Sequence, residues 1–135
     1  MNDYLSSQTT TILSKALDGI QLRHQAIANN LANVDTPEYK RRDVDFKSEL
    51  KAALEQDDLK LNKTDNMHLT TNNKISQFKP KVQVENDTSM RNDKNNVDID
   101  YEMAALAKNT LEYQAVTKLL SMKFKNLGNV INKVK

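Results

Sequence analysis

The chain has 135 residues, a formal net charge of +2 and 5% aromatic residues, with two glycines, two prolines and no tryptophan. This length fits one domain, but so few bulky side chains and turn-forming residues are unusual for a compact enzyme. The absence of cysteine excludes a disulfide framework, a thiolate metal site and a thiol nucleophile.

The N-terminus has no basic stretch followed by an apolar run, so we expect no cleavable secretory signal. No apolar run approaches the roughly 20 residues that span a bilayer, so we expect no insertion into a membrane. We interpret residues 1–135 as one mainly α unit. Two long amphipathic helices, at about 5–34 and 97–134, form a coiled-coil-like pair. A turn, a short helix and an irregular segment with an edge strand occupy residues 35–96.

The first predicted helix carries one apolar stripe. Its positions recur at alternating steps of four and three, which keeps them on one face of a helix. The stripe comprises Leu13, Leu17, Ile20, His24, Ile27, Leu31 and Val34. Pro37 ends the helix, because proline keeps the preceding residue out of the helical region.

The middle of the chain gives weaker patterns. Apolar side chains four residues apart predict a short helix that ends near residue 56, with Asp43 or Asp45 as its N-cap. These side chains are Phe46, Leu50 and Leu54. Residues 57–73 and 89–96 are polar and predict an irregular loop and a turn. Residues 78–85 predict a short strand with Val82 and Val84 on one face, and Pro80 confines it to a sheet edge.

The last predicted helix keeps the four-three alternation for about five heptads. Its stripe comprises Ile99, Met103, Leu106, Thr110, Tyr113, Thr117, Leu120, Phe124, Leu127, Ile131 and Val134. A second apolar strip lies beside it: Ala104, Ala107, Leu111, Val116, Leu119 and Met122. Asp98 is the expected N-cap, and acidic residues follow in the first turn. One partner helix cannot cover both strips, so we expect several neighbours.

Two motifs carry a resemblance to a known family. Residues 28–42 read ANNLANVDTPEYKRR, which resembles the N-terminal motif A-N-N-(L/I)-A-N-x-x-T-P-G-Y of the rod, hook and hook-associated proteins of the bacterial flagellum. Residues 95–103 read NNVDIDYEM, which is similar to the start of the last helix in the small proximal rod proteins of the flagellar basal body. The resemblance covers about residues 5–50 and 88–134.

The resemblance implies a structural subunit rather than an enzyme, without a cofactor or a metal. Such a subunit assembles into a helical multi-subunit rod, transmits torque and lines the export channel. Its implied partners are other flagellar rod subunits, the rod-to-ring adaptor protein and the flagellar type III export gate. Its implied location is the basal body in the cell envelope, reached by export without a cleavable signal peptide.

The stripes and the motifs together predict a subunit interface. Its residues are Leu13, Leu17, Ile20, Ile27, Asn30, Leu31, Asn33, Thr36, Pro37, Tyr39, Asn96, Asp98, Met103, Leu106, Tyr113, Leu120, Phe124, Leu127 and Ile131.

Two positions depart from the family pattern, because Glu38 and Lys94 stand where glycine is usual. A type II turn at residues 36–39 requires a positive φ at Glu38, which is unfavourable for glutamate. We therefore expect either a type I turn or a Glu38 held in a strained conformation that costs about 1 kcal/mol.

Other functions have weaker support. His24 and His68 are distant in sequence, and we expect a packing role for the first and solvation for the second. The acids at 98, 100 and 102 lack the glycine and the spacing of a calcium loop, so capping is the better interpretation. Residues 40–42 are basic, but acids follow at once, so we expect no nucleic-acid binding. The remaining alternative is a coiled-coil adaptor or another secreted needle-type helical subunit, which the heptads alone do not exclude.

Overall fold

The computed structural model describes residues 8–58, 74–86 and 92–133, and most of these residues are helical. The helices are α1 (Gln8–Ala32), α2 (Phe46–Asp58), α3 (Lys74–Gln77) and α4 (Ile99–Lys133). Strands β1 (Arg42–Asp43) and β2 (Gln83–Val84) form an antiparallel pair. The predicted mainly α architecture, with two long terminal helices and a short middle helix, is confirmed. The expected helix start before residue 8, and Val134, lie outside the described residues.

The two long helices pack side by side in opposite directions. Near the end of α1, the side-chain amide of Asn95 donates to the carbonyl of Asn33 at 3.0 Å. Further along α4, the amide of Asn109 donates to the carbonyl of Ile20 at 3.1 Å, earlier in α1. Residues later in the chain therefore contact earlier positions of α1, so α1 and α4 form an antiparallel helical hairpin.

The residues of α4 that face α1 each come one position earlier in the sequence than the residues of the predicted apolar stripe. Glu102 and Asn109 are buried, whereas Met103 and Thr110, which follow them, are exposed. One residue corresponds to about 100° around an α-helix. In this part of α4 the apolar stripe therefore lies to one side of the contact with α1, and Thr110 and Tyr113 line a groove with Ile20. The reason is that Glu102 and Asn109 find polar partners on the rest of the chain, as described below.

The main apolar core lies where α2 packs on α1. Its buried members are Ile20, Ala26, Val44, Phe46, Leu50 and Phe78. Ile12, Ala16, Leu22, Leu54 and Val116 pack against it from the sides. Val116 brings α4 into this core, whereas most of the long helix contributes little to it. The core is therefore a compact corner on one side of the hairpin.

Gly19 allows the closest approach in this core. A Cβ atom placed on Gly19 would lie only 2.3 Å from Cγ of Phe46, so any side chain there would collide with the ring. Glycine in a helix interior costs about 0.5–1 kcal/mol relative to alanine. The contact with Phe46, which is 2% exposed, explains why glycine stands at this helical position.

Acidic residues cap two of the helices. Asp45 caps α2 by accepting hydrogen bonds from the hydroxyl and the backbone N–H of Ser48. The Ser48 hydroxyl, and then its N–H, hold the pKa of the Asp45 carboxyl below its usual range. Asp98 caps α4 by accepting from the N–H groups of Asp100 and Tyr101, as predicted. Of the two predicted caps for the short helix, Asp45 is the one that forms, since Asp43 accepts from the N–H of Val44 instead.

The middle segment differs from its prediction. The strand is confined to Gln83–Val84, and it pairs with Arg42–Asp43, which the sequence had not marked as a strand. Val82 and Val84 are exposed, so they form no buried face. The helical turn α3 was not predicted, and it buries Ile75 completely. Residues 59–73 and 89–91 of the predicted loop and turn lie outside the described residues.

Substitution of each glycine by alanine tests the Gly19 contact. We expect Gly19→Ala to destabilise the fold by roughly 1–3 kcal/mol through overpacking against Phe46. Gly128→Ala is the matched control, because a Cβ there meets no atom within 4 Å. It should leave stability unchanged or raise it by up to about 1 kcal/mol. Equal effects of both substitutions in urea unfolding, followed by circular dichroism, would contradict the packing argument.

Candidate functional site

The turn that leaves α1 and the turn that enters α4 are docked together, and we call residues 33–42 with 92–98 the junction. Asn95, which is fully buried, organises it. Its amide nitrogen donates to the carbonyls of Asn33, Val34 and Thr36 at 2.9–3.0 Å. Its side-chain oxygen accepts from the N–H of Val97 at 2.8 Å. The two N–H groups of one side chain are therefore shared among three carbonyls just after α1, and this contact fixes the approach to α4.

Asn30, which lies in α1 just before the junction, fixes the first of its two segments. Its side chain is fully buried in the last turns of α1. The amide nitrogen donates to the carbonyl of Arg42 at 2.7 Å, and the side-chain oxygen accepts from the N–H of the same residue at 2.9 Å. That oxygen also accepts from the hydroxyl of Tyr39 at 3.3 Å. The paired bonds hold the chain at β1 as a neighbouring strand would.

Arg41 joins the junction to the first turn of α4. Its Nε donates to Oε1 of the buried Glu102 at 2.6 Å, and its Nη1 donates to Oε1 of Glu85 at 2.5 Å. The guanidinium also lies 4.6 Å from the ring centroid of Tyr101. Burial lowers the pKa of Arg41, but the hydrogen bonds and charges of Glu85 and Glu102 outweigh it, so the pKa is raised. Arg41 therefore remains a cation that two carboxylates hold in place.

Asn96 fixes the backbone of the same segment. Its side-chain oxygen accepts from the N–H of Arg41 at 2.7 Å. Its amide nitrogen donates to the carbonyl of Glu85 at 2.9 Å, close to β2. The adjacent asparagines at 95 and 96 thus reach different elements. The first closes the turn after α1, and the second holds the two-stranded sheet against the start of α4.

The expected type I turn at residues 36–39 is wrong. Glu38 has a φ of 60°, in the left-handed region, as a type II turn requires at this position. The reason is the docking, because the N–H of Glu38 donates to the carbonyl of Asp93 at 2.8 Å. Lys94 also has a φ of 60°, and its ammonium lies 3.4 Å from Oε1 of Glu38. The two positions that lack the usual glycine therefore face each other, and the strained Glu38 that was the second expectation is present.

The basic run at residues 40–42 is used inside the chain. Lys40 donates to the carbonyl of Lys94 at 3.0 Å, and Arg41 is buried among carboxylates. Arg42 is exposed and lies 5.8 Å from the ring centroid of Tyr39. The run therefore forms intrachain contacts rather than a continuous basic surface.

The exposed apolar side chains are concentrated on α4. Within the described ranges, only Val82 and Val84 among the large exposed hydrophobic residues lie elsewhere. The α4 residues are Ile99, Tyr101, Met103, Leu111, Tyr113, Leu119, Met122, Phe124, Val130 and Ile131, each between 45% and 66% exposed. An apolar surface that extends along a whole helix is typical of a protein interaction site. We call these ten residues the apolar face of α4.

The predicted interface residues fall into three groups. Ile20, Ile27 and Asn30 are buried within the chain. Those that are half-buried are Leu13, Leu17, Leu31, Asn33, Tyr39, Asn96, Leu106, Leu120 and Leu127. Those that are exposed are Thr36, Pro37, Asp98, Met103, Tyr113, Phe124 and Ile131. The first group therefore acts inside the chain, and the exposed group remains available to a neighbour.

The sequence did not mark Arg41, Asn95 or Glu102 as organising residues. Glu102 was interpreted as a first-turn acid, which is its local role in any helix. Its partner Arg41 lies 61 residues away, so no local pattern joins the two. Asn95 begins the motif at residues 95–103, and the pair of adjacent asparagines there is the only sequence feature that indicated it.

His24 is exposed rather than packed in the stripe, and His68 lies outside the described ranges. Among residues 8–58, 74–86 and 92–133, no group of three metal-capable side chains lies together. No helix in these ranges is long and apolar enough to cross a bilayer.

Removal of the Arg41 side chain tests its role in the junction. Arg41→Ala leaves Glu102 buried without its cation, and we expect a loss of roughly 3–5 kcal/mol in the free energy of unfolding. Arg42→Ala is the matched control, because this neighbour is exposed, and it should cost less than about 1 kcal/mol. Denaturant unfolding of both variants distinguishes them. A similar loss in the two would show that Glu102 does not depend on Arg41.

Glycine at position 38 tests the strained turn. Glu38→Gly should stabilise the chain by about 1 kcal/mol, because glycine adopts a positive φ without the clash of a Cβ atom. Glu38→Ala also removes the ion pair with Lys94 but keeps the Cβ, so it should give no gain. Thermal unfolding of the three proteins provides the measurement. A gain with alanine as large as that with glycine would assign the effect to the charge instead.

The sequence of this chain is similar to a known protein family and to several of its members. The sequence profile of the family described as "Flagella basal body rod protein" matches residues 13–40, which include the end of α1 and the turn after it. The protein named "Flagellar basal body rod protein FlgB" of Borreliella burgdorferi is 38% identical, over 97% of this chain and 99% of the relative. Its namesake in Bacillus subtilis is 36% identical over 94% and 95%, and that of Escherichia coli 32% over 81% and 82%.

The predicted resemblance to the flagellar rod proteins is thereby confirmed, and these three relatives share one name. The family is one of structural rod proteins. Identity of 38% across nearly the full length of both chains is far beyond what shared helical composition produces. The chain therefore belongs to the FlgB family of flagellar basal body rod proteins.

Proposed function

We propose that this chain is a structural subunit of the proximal rod of the bacterial flagellar basal body. It assembles with other rod subunits through exposed surfaces of α1 and α4, transmits torque and lines the export channel. The observation that carries this proposal is the apolar face of α4, which the rest of the described chain leaves exposed.

The energetics of this face favour assembly. Full burial of a large apolar side chain contributes about 1.5–3 kcal/mol. The ten side chains are about half exposed, so covering the remainder contributes on the order of 1 kcal/mol each. That sum is comparable to the whole stability of a small domain. The longest helix of this subunit leaves its apolar surface exposed to solvent. That surface is suited to burial against neighbouring subunits.

The distribution of the face around the helix favours several neighbours. Leu111 and Tyr113 are two positions apart in sequence, which places them about 200° apart around α4. Both are exposed, at 66% and 49%. A single partner helix covers one side only, so a closed dimer through one seam leaves much of the face in water. Repeated head-to-tail contacts that build an open helical assembly cover both sides.

The partners follow from family membership. We propose contacts with the other rod subunits, with the rod-to-ring adaptor protein and with the flagellar type III export gate. The exposed junction residues Thr36, Pro37 and Asp98 are candidates for these contacts, because the docked turns hold them on a fixed surface. This chain would then occupy the flagellar basal body.

A charge placed on the apolar face tests the proposal. Phe124 is 54% exposed, so Phe124→Asp should leave the monomer folded and prevent rod assembly, with loss of swimming. Asn126→Asp is the matched control, because it adds the same charge at a polar exposed position of the same helix. Circular dichroism of the purified variants and swimming assays of cells that carry them are the measurements. Normal swimming with a stably produced Phe124→Asp protein would refute the proposed use of this face.

A further inference from the structure

We infer that a stripe of polar side chains on α4 fixes the rotation of this helix and thereby keeps its apolar face outward. The stripe comprises Glu102, Asn109 and Glu112, and we call it the polar stripe. Its residues are spaced by seven and three positions, so they lie on one side of the helix. That side faces α1 and the junction, where an amphipathic helix normally presents its apolar residues.

Each member of the polar stripe has a partner on a different part of the chain. Glu102 pairs with Arg41 at 2.6 Å, which anchors the start of α4 to the junction. Glu112 accepts from Lys47 of α2 at 2.6 Å and lies 3.8 Å from a guanidinium nitrogen of Arg23 in α1. These contacts are spread over about three turns of α4, so they determine its rotation as well as its position.

Asn109 lies between these two ion pairs and contacts the backbone of α1 directly. It is 2% exposed, and its amide donates to the backbone carbonyl of Ile20. A bond to a main-chain carbonyl does not depend on which side chain α1 presents. It requires that this edge of α4 be turned toward the α1 backbone.

The polar stripe is not the most stable way to join the helices. Asn109 Oδ1 and Glu102 Oε2 are buried and have no hydrogen-bond partner among the described residues. A buried polar atom without a partner is unfavourable, and an apolar residue of similar size avoids that penalty. The arrangement therefore gives up stability, and what it provides is one definite rotation, as single polar residues do in coiled-coil seams.

The alternative rotation is available in the same sequence. Met103, Thr110 and Tyr113 each follow a member of the polar stripe by one position, and all three are exposed. A turn of about 100° brings them against α1 and moves the polar stripe into solvent. What opposes this rotation is the cost to Arg41, which would remain buried without Glu102. A chain in that rotation would hide part of its apolar face within its own hairpin.

Thiol labelling of a single introduced cysteine tests the rotation, because the natural chain has none. Thr110→Cys is a near-isosteric reporter on the exposed side of α4. In the full-length chain with this reporter alone, a disulfide reagent should label it at nearly the rate of an unfolded peptide. In the background Asn109→Lys with Glu112→Lys, the polar stripe cannot stay against α1, because two ammonium groups would be buried there and the one at position 112 would face Arg23 and Lys47. We expect labelling to slow by about tenfold, because α4 turns the reporter inward.

Two exposed positions on the opposite side provide the matched control. Gln114→Lys with Ser121→Lys introduces the same residues at exposed positions of α4, so labelling should not slow. The added positive charge by itself lowers the thiol pKa and speeds labelling, so it cannot imitate the expected slowing. An unchanged rate in the variant of the polar stripe, with its helical circular dichroism retained, would overturn the inference.

If the double variant loses its helical signal, Asn109→Lys alone decides. Slower labelling in that variant supports the inference, and labelling at the parent rate overturns it. The assay is carried out on the unassembled chain, so its result does not depend on the proposed rod function. A swimming defect of Phe124→Asp tests the use of the face, whereas thiol labelling tests what holds that face outward.

Discussion

The amide of Asn95 is the contact on which the rest of the structure depends. Helix α1 ends at residue 32, and three of the carbonyls that follow it point toward Asn95. By sharing its two N–H groups among them, one buried side chain connects the end of α1 to the residues that lead into α4. The direction in which α4 leaves the junction, and hence the antiparallel pairing of the helices, follows from that connection. Arg41 meets Glu102 only because the two turns are already in contact.

The chain separates the forces that define its shape from those available to a partner. Hydrogen bonds and ion pairs define the junction, and a small apolar core secures α2 against α1. The largest apolar surface is left on α4. Directional contacts determine geometry, whereas apolar burial contributes free energy with little direction. A subunit built in this way has a definite conformation before it binds a neighbour. Its exposed apolar surface still contributes favourable free energy when it binds one.

The features that depend on local chemistry were predictable from the sequence. The periodicity indicated the two long helices, the four-residue spacing from Phe46 to Leu54 indicated α2, and Asp98 was identified as an N-cap. The motifs indicated the family. The rotation of α4 was not predictable in this way, because periodicity identifies an apolar stripe without showing what covers it. An amphipathic pattern normally points inward, and here the partners of Glu102 and Asn109 turn the helix by about 100° from that position.

The turn at Glu38 was missed for a related reason. Local preference disfavours a positive φ for glutamate, but the carbonyl of Asp93, which lies 55 positions further along the chain, takes the N–H of Glu38. The pairing of β1 with β2 is equally non-local, because each strand has only two residues and no pattern of its own. Among the predicted interface residues, Asn30 and Ile20 matched buried positions of the chain itself, which a single sequence does not distinguish from contacts between subunits.

The sequence separation of the central contacts has a consequence for the order of folding. The bonds of Asn95 to the end of α1 join residues 59 to 62 positions apart, and that of Asn109 to Ile20 joins residues 89 apart. Such contacts carry a high loop-closure entropy and slow the approach to the native state. The first helix therefore cannot pair with α4 until α4 itself has left the ribosome. A polypeptide with this topology lacks its helical hairpin while the first hundred residues are made, because the partner of α1 is synthesised about 90 residues later.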